Sequence, residues 1–163
     1  MNYKIIKIEE KDIATSVNLI KDCFSTVAKE FGITEENAPS YVAFATTEEK
    51  LLEQYNDGRL MFVCEDNNGQ IIGYYSLALI SDTECELNNL CVAPDCRHNG
   101  VGKTLFEHAV QTAKENGFKL MTFSIVEENI QLKEWYIKLG AEHIGTRKFD
   151  FFPFTCGYMK FSL

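Results

Sequence analysis

A strand, a glycine-containing loop and an amphipathic helix follow one another in the middle of the chain, and this succession constrains the fold more than any other feature. The predicted strand over 84–92 is stopped by Pro94, which has no N–H to give to a sheet. Gly100 and Gly102 then open a helix predicted over 101–116, whose apolar residues recur at steps of three and four. A helix start leaves N–H groups without partners and carries the positive end of the helix dipole. The succession predicts an anion-binding loop, unless the glycines only relieve crowding at an ordinary turn.

The other segments predict one domain over residues 1–163. Strands are favoured where β-branched and apolar residues cluster, and helices where apolar residues recur every three or four positions. The predicted strands cover 3–8, 60–65, 71–80, 84–92, 119–126, 142–149 and 155–162, and the predicted helices cover 13–31, 34–57, 101–116 and 130–139. This order predicts an α/β domain of the α+β type, with about four helices flanking a mixed, mostly antiparallel sheet of about seven strands.

Three local signals refine this order. Asn68-Gly69 is a hairpin signal between the second and third strands. Thr46 with Glu49 fits a capping box inside the second predicted helix. The third strand, over 71–80, is nearly all apolar, and we therefore expect it to be buried on both faces.

The charge and hydropathy of the chain argue against several classes of function. Lys and Arg number 16 and Asp and Glu 24, so the net charge is −8. The longest basic run is Arg147–Lys148, so no basic patch favours a nucleic acid partner. No apolar run is long enough to predict a transmembrane helix, and the polar start predicts no secretory signal. We therefore expect no membrane partner and a cytoplasmic location.

The cysteines and histidines predict neither a metal site nor a disulfide framework. None of the six cysteines has the C-x-x-C spacing, and most lie in apolar segments, where a free Cys behaves as a small hydrophobe. The three histidines have no partner at ligand spacing. We expect a reduced protein without metal, with buried thiols favoured over a redox or nucleophilic role.

Three anion-binding templates can be compared with the loop over 97–104. The phosphate-binding P-loop, G-x-x-x-x-G-K-S/T, matches at its end but would need a glycine at Arg97. The dinucleotide fingerprint, G-x-G-x-x-G, would need a glycine at Leu105, and no second βαβ half follows. The third template, Q/R-x-x-G-x-G/A, matches from Arg97 to Gly102 at every fixed position.

The third template is the pyrophosphate-binding loop of the GNAT superfamily of acetyl-CoA-dependent N-acetyltransferases, which this chain resembles. The segment 129–141 is similar to the second signature of that family, N-x-x-A-x-x-F-Y-x-x-x-G-F. Asn129 and Tyr136 match the signature. The departures are changes of size at packing positions, at Leu132, Trp135 and Ala141. The element order is similar to that of the family across nearly the whole chain.

The resemblance implies a coenzyme A site made mostly of main chain. In the family, the loop N–H groups hold the pyrophosphate, and the fourth strand pairs its free main chain with the pantetheine arm as it would with an added strand. Asn129 is implied in contact with that arm, although capping of its helix alone explains it. The residues implied in binding are Leu90, Cys91, Val92, Arg97, His98, Asn99, Gly100, Val101, Gly102, Lys103 and Asn129.

The resemblance also implies two catalytic residues for direct attack of an amine on the thioester. Glu86 matches the catalytic glutamate of histone-type members and would take the proton of the amine, often through water, with Glu84 as the second candidate. Tyr136 matches the tyrosine that protonates the departing thiolate, although it also lies on the apolar face of its helix. Glu84 and Glu86 are expected on one strand face with Leu90 and Val92, provided that no bulge intervenes.

The acceptor and the assembly stay open at this point. The implied activity is acetyl transfer from acetyl-CoA to a primary amine; the alternatives are a non-catalytic acyl-CoA-binding module, an enzyme acting on protein or peptide amines, and a P-loop nucleotide enzyme. Segments 24–45 and 148–156 would set the acceptor. The first of these carries three acidic residues, Glu30, Glu35 and Glu36, which suit a small cationic amine or a basic peptide, although a solvated helix surface explains them equally well. The aromatic run 149–154 suits an acceptor wall, a dimer surface or plain core, and a homodimer is common in such proteins.

Overall fold

Seven strands form one sheet in a computed structural model of the chain, which describes residues 2–163. The strands are β1 (Tyr3–Lys7), β2 (Leu60–Asp66), β3 (Ile71–Leu79), β4 (Glu84–Val92), β5 (Leu120–Val126), β6 (Glu142–Lys148) and β7 (Thr155–Ser162). The α-helices within the described residues are α1 (Ile13–Glu30), α2 (Val42–Ala45), α3 (Glu48–Asn56), α4 (Val101–Glu115) and α5 (Ile130–Lys138). Short 3₁₀ turns cover Glu10–Asp12 and Pro94–Cys96.

The sheet has the strand order β1-β2-β3-β4-β5-β7-β6. Every neighbouring pair is antiparallel except β4 and β5, which run parallel. The predicted α+β fold with a mostly antiparallel sheet of seven strands is therefore confirmed. The described residues contain five α-helices rather than about four, because the segment 34–57, predicted as helix with a break near Pro39, forms two helices after that proline, α2 and α3.

Helices cover both faces of the sheet. Ile20 of α1 and Leu51 of α3 are buried with Met61 and Tyr74 on one face. The other face is covered by α4 and α5, and Phe106 of α4 belongs to the larger core there. Because strand β3 lies between these two layers, it is buried from Ile71 to Leu77, as its apolar sequence predicts. The end of the predicted run is not buried, since Leu79 and Ile80 are exposed beyond the two layers. Each large side chain buried in this way stabilises the fold by about 1.5–3 kcal/mol.

The capping box predicted at Thr46 is wrong by one residue. Thr47 is the N-cap of α3, and its hydroxyl accepts a hydrogen bond from Lys50 N at 3.2 Å. The Thr46 hydroxyl instead donates to Val42 O at 2.6 Å and closes α2. Two adjacent threonines compete for the cap, and the Glu49 spacing favoured the wrong one. Local sequence could not resolve this, since α2 had not been predicted as a separate helix.

A β-bulge interrupts β4 opposite β3. The register shifts between Tyr74 and Ser76, which pair with Cys91 and Asn88, and Asn89 has φ +54°. The extra residue reverses the alternation of side chains along the strand. The alignment of Glu84 and Glu86 with Leu90 and Val92, expected in the absence of a bulge, is therefore wrong. Val92 instead shares a core with Cys85 and Leu87, on the face opposite to Glu86.

Candidate active site

The fourth and fifth strands separate beyond Glu86 and leave an opening in the sheet. Their parallel pairing joins Glu84–Glu86 to Leu120–Thr122 and ends there. A cavity of about 260 Å³ lies at the opening. Residues 87–90 of β4 and 123–126 of β5 form one side of it, and more distant segments form the other.

The part of β4 beyond Glu86 has no partner strand on its β5 side within the described residues. Leu90 lines the cavity. The carbonyl oxygen of Val92 is already engaged, because it accepts hydrogen bonds from Cys23 Sγ at 3.2 Å and Arg97 Nε at 3.1 Å. The free edge can therefore pair with an extended ligand mainly through the backbone groups around Leu90.

Cys91 lies behind this edge rather than in the cavity. Its side chain belongs to the core under α1 and is 7% exposed. The neighbouring Cys23 thiol and burial raise the pKa of Cys91, so its thiol stays protonated at neutral pH. Both features argue against a role for Cys91 as a nucleophile.

The loop before α4 ends in a helix start that no side chain caps. Gly100 is the N-cap residue with φ +83°, a left-handed conformation that glycine adopts without strain. Among residues 2–163, no side chain accepts a hydrogen bond from the first-turn N–H groups, which belong to residues such as Val101 and Gly102. A phosphate is a suitable acceptor for such groups. Gly102 lies close to the Trp135 ring, so a Cβ there would be in ordinary contact at 3.6 Å.

Arg97 is folded back onto the protein. Its guanidinium donates to Cys23 O at 3.1 Å and Thr26 Oγ1 at 3.0 Å, in addition to Val92 O. These bonds tie the end of β4 to α1. The side chain therefore braces the end of β4 in this structure, and the backbone N–H of Arg97 donates to Pro94 O at 3.3 Å, so the role of Arg97 in ligand binding stays a prediction.

The remaining loop residues are exposed. His98 has φ +62°, and Asn99 Nδ2 donates to Cys96 O at 3.5 Å. Lys103, in the first turn of α4, forms an exposed ion pair with Glu107 at 3.7 Å. Such a pair is weak, so the Lys103 ammonium is available to a phosphate.

Tyr136 and Asn129 both line the cavity. Asn129 caps α5 by accepting a hydrogen bond from Leu132 N at 3.2 Å. Tyr136 is 6% exposed, and its ring packs against Phe123 at 4.5 Å between centroids. Burial raises the pKa of Tyr136, so its hydroxyl remains a neutral proton donor at pH 7.

Glu86 lies just behind the cavity wall. Its Oε1 accepts a hydrogen bond from Asn88 Nδ2 at 2.6 Å, and Asn88 itself lines the cavity. Asn88 Oδ1 accepts in turn from Arg59 Nη1 at 3.3 Å. Glu84 lies two residues further from the opening, where its Oε1 accepts from Thr122 Oγ1 at 3.4 Å. Of the two carboxylates, Glu86 is therefore the one connected to the cavity.

The resemblance implied the two segments that form the aromatic wall opposite the strands, 24–45 and 148–156, but it did not identify the residues of the wall. Phe24, Tyr41 and Phe154 come from three segments far apart in the chain, and all line the cavity. The ring centroids of Tyr41 and Phe154 lie 5.7 Å apart, and those of Phe24 and Tyr41 6.3 Å apart. No local pattern predicts that they meet. Asn88-Asn89 did carry a signal, since asparagine is unfavourable within a strand and tolerates positive φ at a bulge.

Two searches of the described residues returned nothing. Within residues 2–163, no group of three His, Cys, Asp or Glu side chains is arranged to hold a metal ion. No helix in the same range is long and apolar enough to cross a membrane.

Comparison with known proteins gives the class of this one. The family model described as "Acetyltransferase (GNAT) family" matches residues 29–141. The N-acetyltransferase YjgM of Escherichia coli is 29% identical over 124 residues, which are 72% of this chain and 71% of that protein. The spermidine N(1)-acetyltransferase of Thermoplasma acidophilum is 24% identical over 156 residues, 93% of this chain and 95% of that protein.

Other matches are shorter, or show the fold alone. The match to a Bacillus subtilis relative, by its name an alanine N-acetyltransferase, spans about half of each protein: 51% of this chain and 54% of the other, at 26% identity. A crystal structure of the PaiA N-acetyltransferase from Thermoplasma acidophilum, in complex with coenzyme A, superimposes with a TM-score of 0.84 over both chains at 22% identity. The fold and the named relatives define the class as an acyltransferase. The chain belongs to the acetyltransferase (GNAT) family.

Proposed function

We propose that this protein transfers an acetyl group from acetyl-CoA to a primary amine by direct attack. The single observation that carries the proposal is a groove formed by the opening between β4 and β5 and by the uncapped start of α4 beside the end of β4, where a Cβ on Gly102 would lie 3.7 Å from Val92 Cγ2. One end of this groove can hold an extended amide-containing arm, and the other can hold phosphate. Coenzyme A has both parts, and structures of relatives contain coenzyme A or acetyl-CoA.

The binding roles follow from these two ends of the groove. Backbone groups of Leu90 to Val92 pair with the pantetheine arm, and Asn129 lies on the facing wall. The N–H groups from His98 to Gly102 would bind the pyrophosphate, since the Arg97 N–H already donates to Pro94 O, and Lys103 adds a local positive charge. An overall charge of −8 is no obstacle, since the contacts that matter are short-range.

The reaction joins the amine nitrogen to the thioester carbonyl carbon and breaks the carbon–sulfur bond. A free amine is mostly protonated in water, with a pKa near ~10, so it must lose a proton before it can attack. We assign that proton to Glu86, through water on the cavity side of Asn88. A backbone N–H near Leu90 stabilises the developing oxyanion.

The departing coenzyme A thiolate takes its proton from Tyr136. The hydroxyl of Tyr136 is suited to this role because the residue lines the cavity and remains neutral at pH 7. The products are an N-acetyl amide and free coenzyme A, and no acetyl group stays on the protein.

The acidic residues that favoured a cationic acceptor lie outside the cavity. Glu30, Glu35 and Glu36 are exposed, and none of them lines it. Similar proteins are named for two different acceptors, spermidine and an alanine of ribosomal protein S18. Acetyltransferases of this fold therefore differ in the amine that they acetylate. The acceptor must therefore be inferred from the cavity itself.

The test is acetyl transfer by the purified chain. The chain is incubated with acetyl-CoA and a mixture of primary amines, and both products are followed by mass spectrometry. Product detection is preferable to a thiol reagent, because the protein has six free cysteines of its own. The proposal predicts amide and coenzyme A in equal amounts. Binding of acetyl-CoA with no amide from any amine would favour the non-catalytic module instead.

A further inference from the structure

The side of the cavity away from the parted strands has an uncharged and largely aromatic lining. Phe24, Tyr41, Phe152 and Phe154 contribute rings, and Val27 and Val42 contribute aliphatic side chains. The polar side chains in the lining are neutral: Ser40, Asn88, Asn89, Ser124, Asn129, Tyr136 and Cys156. Among the described residues, no Asp, Glu, Lys, Arg or His lines the cavity.

Two charged side chains near this wall, Lys148 and Glu128, are committed to backbone hydrogen bonds elsewhere. Lys148 Nζ donates to the carbonyl oxygens of Phe152 at 2.6 Å and Phe154 at 3.1 Å. Both carboxylate oxygens of Glu128 accept from Thr155 N, at 3.0 and 3.2 Å. These bonds hold the loop before β7 and leave neither charge facing the cavity.

The aromatic wall is rigid as well as apolar. The Phe152 and Phe154 rings stack at 4.7 Å between centroids, and Phe154 meets Tyr41 edge to face. Burial raises the pKa of Tyr41, so this hydroxyl does not supply a negative charge at neutral pH. With a total volume of about 260 Å³, part of which the thioester end of acetyl-CoA would fill, the remaining space is small.

These features restrict the chemistry of the acceptor body, which is the part of the acceptor other than its reacting amine. A second ammonium group placed against this wall would lose its hydration and find no carboxylate in exchange. An aryl or branched alkyl group would gain both burial and ring contacts. We infer that the acceptor is a small primary monoamine with a compact apolar body, and that diamines and polyamines are poor acceptors. The inference rests on the proposed acetyl transfer.

A panel of amines tests this class. Specificity constants, kcat/KM, are measured for 2-phenylethylamine and 3-methylbutylamine, for putrescine and spermidine, and for a short peptide that begins with alanine. The kcat/KM of the better apolar monoamine should exceed that of putrescine, spermidine and the peptide by at least about tenfold. Acetylation of putrescine, spermidine or the peptide with equal or greater efficiency would overturn the inference while leaving the proposed function intact. Failure to bind acetyl-CoA would overturn both.

A charge placed in the cavity gives a second, independent readout. Ser40 is exposed and lines the cavity, so Ser40→Asp adds a carboxylate there without disturbing buried packing. The ratio of kcat/KM for putrescine to that for 2-phenylethylamine should rise at least about tenfold, because the second ammonium gains a counterion. Ser81→Asp is the matched control, since Ser81 is exposed and outside the cavity. Equal ratios in the two variants would contradict an acceptor body lying against this wall.

Replacing one aromatic residue of the wall, with a matched replacement elsewhere in the same loop, tests whether the wall itself contacts the acceptor. Phe154 is buried in the lining, whereas Phe151 is 59% exposed and outside it. Phe154→Leu, which preserves an apolar core, should raise KM for 2-phenylethylamine several-fold more than Phe151→Leu does. Equal effects of the two substitutions would count against the inference.

Discussion

At the scale of single residues, Tyr136 is where structural and chemical roles are hardest to separate. Its ring is part of the core around Phe106 and Phe123, and its hydroxyl belongs to the cavity lining. Tyr136→Phe keeps the ring and removes the acid. We expect kcat for the best amine to fall by about 100-fold while the melting temperature and the KM for acetyl-CoA stay nearly unchanged. Unaltered kcat would show that another group, or water, protonates the thiolate.

Glu86 and Glu84 compete for the role of base, and the contacts favour Glu86. Glu86→Gln retains an oxygen for the hydrogen bond from Asn88 but cannot take a proton. We expect kcat/KM at pH 7 to fall by about 100-fold. The deficit should shrink as the pH approaches the amine pKa near ~10, where the free amine no longer needs a base.

Glu84→Gln is the matched comparison, and we expect it to have little effect. Its contact with Thr122 lies where β4 and β5 are still paired. A large loss in this variant with none in Glu86→Gln would move the base to Glu84.

At the scale of elements, the start of α4 depends on two glycines for different reasons. Gly100 has φ +83° with open space around a would-be Cβ, so Gly100→Ala is strained only through its backbone, by about 1–2 kcal/mol. Gly102 lies within the helix, where alanine is more favourable than glycine by about 1 kcal/mol and its Cβ meets Trp135 at 3.6 Å. We expect Gly100→Ala to lower the unfolding free energy and weaken acetyl-CoA binding, and Gly102→Ala to lower neither. Chemical denaturation and calorimetric titration measure these effects, and equal losses in the two variants would refute the assigned backbone role of Gly100.

Local sequence was sufficient for most elements and for the position of the loop before α4. Three features depend only on neighbouring residues, and the structure has them where the sequence pattern predicts. They are the Asn68-Gly69 turn, the buried run of β3 and the glycines at the start of α4. The bulge at Asn89 was not predicted, because it depends on how β4 pairs with β3 and not on the sequence of β4 alone.

The acceptor wall was beyond local reasoning for a different reason. Phe154 is more than a hundred residues of chain away from Phe24 and Tyr41, and it meets them only through the packing of α1 and the loop before β7. The fold-back of Arg97 onto Cys23 and Thr26 likewise depends on a tertiary contact. A motif identifies residue type and order, but it does not determine which of several partners a long side chain takes.

At the scale of the whole molecule, the composition limits the reactivity of the cysteines and the way a ligand can bind, but it does not identify the reaction. Four of the six free cysteines are buried. Burial raises the pKa of two of them, Cys64 and Cys85, to about 11, so these two thiols are inert at neutral pH. Because the net charge is −8, the proposed coenzyme A site depends on short-range donors at the opening between β4 and β5. The homodimer implied by the resemblance stays a prediction.

Hydrogen exchange with and without acetyl-CoA tests the central claim most directly, namely that acetyl-CoA lies between the parted strands with its phosphates at the start of α4. Mass spectrometry of peptic fragments reports backbone amides along the whole chain. We predict that saturating acetyl-CoA slows exchange in fragments covering 87–92 and 97–103, and leaves the hairpin over 66–70 unchanged. Protection confined to other segments, or no protection over 87–103 under conditions where acetyl-CoA is shown to bind, would contradict the account.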